Sequence, residues 1–130
     1  MKKYLYYYLP VAMWMTVIFA LSSRHKVSVS EEYILNFLFF KMLHVIEYTF
    51  LFTLWFRAFL FGSKNKAKTK HTLKIAIVAS LLYAISDEFH QTFVPSRQGT
   101  LRDVFIDLIG ITGMYVYMYR NYWFVKRFLL

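Results

Sequence analysis

The sequence predicts an all-α membrane protein: one domain of four transmembrane helices, with both termini cytoplasmic. Three observations predict it. Hydrophobic residues make up 58% of the 130-residue chain, where soluble domains hold roughly 45–50%. The apolar residues come in runs long enough to cross a bilayer. The net charge of +9 collects mostly at the ends of those runs, as membrane proteins place it. A nucleic-acid binder would carry that charge as a basic face on a polar domain, so nucleic acid is excluded as a partner. The absence of cysteine excludes disulfides and thiolate metal sites.

The first span is YLYYYLPVAMWMTVIFAL, Tyr4–Leu21, without a charge and about 27 Å long as a helix. Lys2 and Lys3 before it and Ala20-Leu21-Ser22 at its end have the outline of a signal peptide. The run is long for such a segment, however, and an uncleaved first span gives an even topology. The second span lies within Asn36–Phe61. Ser28-Val29-Ser30-Glu31 fits a capping box ahead of it, but one helix from there to Phe61 would run ~49 Å against a ~30 Å hydrocarbon core. The span proper is therefore expected over 41–61, with 31–40 a separate interfacial piece or a tilted extension. The third span is 73–94, with its polar residues in the last third. Pro95 and Gly99 mark a turn, and the fourth span is 101–119. The tail NYWFVKRFLL reads as an interfacial segment. No repeat or linker divides the chain.

Lysine and arginine orient it. With the N-terminus inside, the inner segments hold Lys2, Lys3, Lys64, Lys66, Lys68, Lys70, Lys74, Arg120, Lys126 and Arg127. The outer ones hold Arg24, Lys26, Arg97 and Arg102, a clear positive-inside bias. Tyr4, Tyr6, Tyr7 and Tyr8 open the first helix, and Tyr115, Tyr117, Tyr119, Tyr122 and Trp123 close the fourth. Both groups fall at the inner headgroup layer, where amphipathic rings prefer to sit.

On this topology every acidic residue falls in the outer half or the outer loops: Glu31, Glu32, Glu47, Asp87, Glu88, Asp103 and Asp107. Lys41, His44 and Tyr48 form one stripe of the second helix, with Glu47 beside it. Asp87, His90 and Gln91 form a stripe of the third, and Asp103, Asp107 and Gly110 one of the fourth. A carboxylate near the centre of a spanning helix costs at least ~2.5–3.5 kcal/mol. The stripes should therefore face one another around a polar pocket open to the outside. Gly110-x-x-Gly113 reads as a close-packing pair.

These residues carry a resemblance. Asp87-Glu88-x-His90-Gln91-x-Phe93-x-Pro95-x-Arg97, followed by Asp103 and Gly110, resembles the pattern of the VanZ-like family. So do Lys41-x-x-His44-x-x-x-Tyr48 and Ser22-Ser23 upstream, so that the likeness runs from about Trp14 to Gly113. Two positions depart from it. Ser96 stands where the family usually has glycine, and Leu108 follows Asp107 where Asn or Asp-Thr is common. The resemblance implies a multi-pass protein of the cell membrane. Its founding member is associated with low-level resistance to teicoplanin-type glycopeptides, which implies an influence on glycopeptide susceptibility.

The expected function is thus an outward-facing polar pocket that binds or acts on a cell-envelope component. The expected partners are the lipid bilayer and a lipid-linked envelope precursor, a phospholipid headgroup or the glycopeptide itself. Lys41, Arg97 and Arg102 supply charge for a phosphate or carboxylate; Glu47, Tyr48, Gln91, Asp103 and Asp107 complete the binding set. Were a bond broken, His90 or His44 would move the proton, with Asp87 orienting it and Glu88 as second carboxylate. A metal centre built on His44-x-x-Glu47 and Asp87-x-x-His90 is the weaker reading, because the nearby lysine and arginines repel a cation; no metal or cofactor is assigned. The alternative is a non-catalytic membrane partner or scaffold whose polar core fixes helix register.

Overall fold

The structure is a computed structural model that describes residues 2–24, 31–62 and 69–129. Among these residues it forms five helices and no strand: α1 Lys2–Ser22, α2 Tyr33–Gly62, α3 Thr69–Gln91, α4 Leu101–Arg120 and α5 Tyr122–Leu129. Contacts between helix ends show how the chain is wound. Tyr7 meets Phe61 and Trp14 meets Glu47, so α1 and α2 are antiparallel. Lys70 meets Tyr119 and Glu88 meets Thr100, so α3 and α4 are antiparallel too. The winding is up-down-up-down. Ser22, Lys41, Asp87 and Asp103 all come to one end of the bundle.

Helix α2 is the hub and packs on α1, α3 and α4. Tyr48, Leu51, Phe52 and Phe56 on it are fully buried. Ala76, Ser80 and Ala84 repeat every four residues on α3 and are also fully buried, a small-residue stripe of the kind that lets helix backbones approach. Gly110 does the same for α4: a Cβ there would stand 2.4 Å from the Val45 carbonyl oxygen of α2. Gly113 meets nothing, so of the expected glycine pair only the first lies at a close approach. Two side chains also bind helix backbone across the bundle. Trp14 Nε1 donates to Glu47 O at 3.0 Å, and Tyr83 Oη donates to Met15 O at 2.5 Å.

The outside of the bundle is apolar. Leu5, Leu9 and Met13 on α1 are exposed, as are Val78, Leu82, Ile85 and Phe89 on α3 and Phe105, Ile109 and Val116 on α4. Two helices, Tyr4–Ser22 and Tyr33–Gly62, are long and apolar enough to cross a membrane, with only 17% and 22% of their apolar windows buried. The core helix of a soluble protein would bury far more of its surface.

The helix limits refine the expectation: α3 begins at Thr69, four residues before the expected start. α2 is continuous from Tyr33 through Lys41, so of the two expected forms residues 33–40 take the extension of the helix and not the separate piece. At about 45 Å it is longer than a bilayer core. Ser28, the expected cap, lies outside the described residues. α3 stops at Gln91, three residues early. Pro95 disfavours helical backbone at Val94. The chain instead closes a turn in which Arg97 N–H donates to Val94 O at 3.1 Å, with Ser96 at φ 66°. Proline second and positive φ third is the arrangement of a type II turn. The expected tail segment is helix α5, seated on the bundle by buried Val125 with Trp123, Phe124 and Phe128 exposed.

Candidate functional site

At the end shared by Ser22, Lys41, Asp87 and Asp103 the core turns polar. Asp87, Glu88, Gln91, Asp103 and Asp107 are all buried. Lys41 Nζ of α2 pairs with Asp103 Oδ2 of α4 at 2.7 Å. One turn deeper, His44 Nδ1 stands 3.2 Å from Asp107 Oδ1, close but out of line for a hydrogen bond. The Lys41/His44 and Asp103/Asp107 spacings match because both helices advance by about one turn per step.

A second chain of contacts runs through α3. Ser22 Oγ at the end of α1 donates to Asp87 Oδ2 at 2.8 Å. Gln91 Nε2 donates to the same oxygen at 3.1 Å and to Glu88 Oε1 at 3.3 Å. The other Glu88 oxygen accepts the Thr100 N–H at 3.0 Å. Thr100 also caps α4, its side chain accepting from Asp103 N–H at 3.3 Å. Asp103 then sits in the first turn, where the helix dipole favours a negative charge. Gly99 makes this approach possible, because a Cβ there would fall 1.9 Å from Glu88 O. Arg97 ties the turn to α1, donating from Nε to Arg24 O at 3.0 Å and from Nη2 to Leu21 O at 3.1 Å.

Above the ion pairs lies an open cleft of about 910 Å³. Lys41, His44, Gln91, Arg97, Arg102 and Asp103 line one part of it, and Tyr33, Phe37 and Phe40 of the α2 extension line another. Arg102 is 64% exposed; its guanidinium lies 5.2 Å from the Phe37 ring centroid and its Nε 3.5 Å from Asp103 Oδ1.

Of the residues singled out in the sequence, Lys41, His44, Gln91, Arg97, Arg102 and Asp103 line the cleft, while Asp107, Asp87 and Glu88 are buried at the same end. Three sit otherwise. The His90 ring lies against Phe19 of α1, centroids 4.4 Å apart, and Asp87 bonds to Ser22 and Gln91 instead of orienting it. Tyr48 is fully buried with no partner for its hydroxyl. Glu47 offers its backbone oxygen to Trp14 and does not line the cleft. Sequence reasoning missed Thr100. Its spacing to Asp103, a hydroxyl three residues before an acid, is a helix-start signal that could have found it.

A helical bundle with an apolar exterior and a buried, multi-helix cluster of carboxylates defines a class: an integral membrane protein with a polar site at one end of its helices. Within that class the chain belongs to the VanZ/LLP1 family, whose model matches residues 4–125. No curated protein and no solved structure matches the chain.

Proposed function

We propose that the chain crosses the cell membrane four times with both termini cytoplasmic, and that its cleft faces outward and binds an anionic amphiphile of the cell envelope. The observation that carries the reading is the mixed lining of the cleft. Lys41, Arg97 and Arg102 meet Tyr33, Phe37 and Phe40 across one opening. Charge-assisted donors suit a phosphate or carboxylate, while the aromatic part suits the attached chain or ring. Lipid-linked wall precursors and phospholipids have this chemistry. The topology is supported by the apolar exposed faces of α3 and α4 as well as α1. It is supported too by Tyr6, Tyr117, Tyr119 and Trp123, exposed at the end opposite the cleft.

The test is the lipid retained by the full chain after purification in mild detergent. Wild type is expected to carry an anionic lipid that Arg102→Ala and Lys41→Ala lose by several-fold; equal retention in all three would overturn the reading. The family resemblance suggests a second readout, an influence on glycopeptide susceptibility. A sensitive Gram-positive host making wild type should tolerate more teicoplanin than one making Arg102→Ala at matched membrane level. Equal susceptibility would detach the cleft from that phenotype.

The Ser22–Asp87–Gln91–Glu88–Thr100 chain favours a second reading, a scaffold whose polar core holds helices in register. It predicts that Asp87→Asn lowers protein level and leaves lipid retention per molecule intact.

A further inference from the structure

Beneath the cleft, three helices converge on one point. His44 of α2, Glu88 of α3 and Asp107 of α4 each present a ligand atom, and these atoms lie within 4.8 Å of one another. Asp107 is fully buried; His44 Nδ1 stands 3.2 Å from its Oδ1, and its Oδ2 has no donor. A buried carboxylate oxygen left without a donor is costly unless a proton or a cation joins it.

The cationic side chains at this end have other contacts. Lys41 pairs with Asp103 at 2.7 Å. Arg97 donates to the Leu21 and Arg24 carbonyls. Arg102 lies exposed beside Phe37. Four buried carboxylates, Asp87, Glu88, Asp103 and Asp107, therefore face one mostly buried lysine and the His44 imidazole. The objection that nearby basic groups repel a metal loses force, because these contacts draw them toward other partners.

We infer that His44, Glu88 and Asp107 form a site for a divalent transition-metal cation of the zinc or manganese type. One imidazole nitrogen and two carboxylate oxygens match such borderline cations, since imidazole suits zinc and iron and carboxylate suits manganese. Ligand atoms about 2.0–2.2 Å from a metal stand roughly 3–4 Å apart, so the three side chains need to close by about an ångström. His44 also lines the cleft, so the cation would sit on its floor. The site does not rest on the reading of the cleft as a lipid pocket, and it is tested without lipid.

The full chain in detergent is stripped with a chelator, incubated with Zn²⁺ or, separately, Mn²⁺, desalted and analysed for metal. Wild type is expected to retain about one equivalent of one of these ions and to unfold at a higher temperature with it than without. Asp107→Asn and His44→Gln are expected to retain less than about a tenth of that. Glu88→Gln keeps an acceptor for the Thr100 N–H, so it reads ligation without undoing the turn, and it too should lose most of the metal. Tyr83→Phe, which loses a hydrogen bond outside the site, should bind as wild type does. Retention of less than about a tenth of an equivalent of either ion by wild type overturns the site, as does wild-type retention by folded His44→Gln and Glu88→Gln.

Discussion

The two ends of this bundle are buried by different means. Toward the end where α1 begins, rings interlock: Tyr8 packs edge-on against Trp55 and Phe59, those two stack 4.9 Å apart, and Phe52 and Phe56 are fully buried. At the other end the contacts are ionic and hydrogen-bonded, and several buried atoms lack donors or acceptors: Asp87 Oδ1, His90 Nδ1 and both Asp107 oxygens. In a bilayer the apolar half gains little from burial as such, because lipid tails are as apolar as its own side chains; its contribution is packing. The polar half is costly wherever lipid can reach it, and tolerable only because four helix ends enclose it. A protein built for stability alone would not need unsatisfied carboxylates at one end of its core. That imbalance is what makes the polar end the candidate site.

Substitutions can break or sharpen this contrast. Lys41→Met should have the largest effect. It leaves the Asp103 carboxylate, 9% exposed, without its lysine, at a cost of about 3 kcal/mol. Adding Asp103→Asn should recover most of that loss, because removing both partners of a buried pair is close to neutral. Equilibrium unfolding in mixed micelles would show it; a double variant no more stable than the single would mean that the pair is not what holds α2 and α4 together there. Phe56→Ala should cost less, about 2 kcal/mol, since the void lowers packing while the transfer contribution largely vanishes in lipid. If it proves the more damaging of the two, the apolar end is the keystone and the contrast is reversed. Ser96→Gly should have the smallest effect and the opposite sign. Ser96 holds φ 66°, a left-handed conformation that glycine adopts freely, so the variant should gain up to about 1 kcal/mol. A loss would mean that the serine side chain matters more to the turn than its backbone strain.

Much of this was legible in the sequence, for reasons that can be traced. That the stripes of α2 and α4 face one another follows from polar residues one helical turn apart on each; the pairing of Lys41 with Asp103 and of His44 with Asp107 came with the fold. Once those helices are parallel neighbours, the stripes have nowhere else to point. The turn at Pro95 was legible because proline acts on its own neighbours. Glu88 was read as a second carboxylate beside Asp87 and His90; it joins Gln91 to Thr100 and stands beside His44 and Asp107. Its environment comes from a loop that folds back over it, made possible by the bare Cα of Gly99. His90 differs for the converse reason: i, i+3 spacing puts it near Asp87 on the helix surface, but its ring packs on Phe19 of α1, while Ser22 of the same helix, 65 residues away, donates to Asp87 Oδ2.

By itself the sequence determined what repeats locally: four long helices, two of them apolar enough to cross a membrane, polar stripes at one end, and membership of one family. Helix periodicity and the cost of charge in lipid act on each segment separately, so each segment carries its own signal. Only the tertiary structure decided which polar atoms meet. It matched Asp87 to Ser22, turned His90 onto Phe19, and brought His44, Glu88 and Asp107 from three helices to within 4.8 Å. Those partnerships depend on the rotation and depth of each helix against its neighbours, which small residues such as Ala76, Ala84 and Gly110 set by close packing and which no single segment encodes.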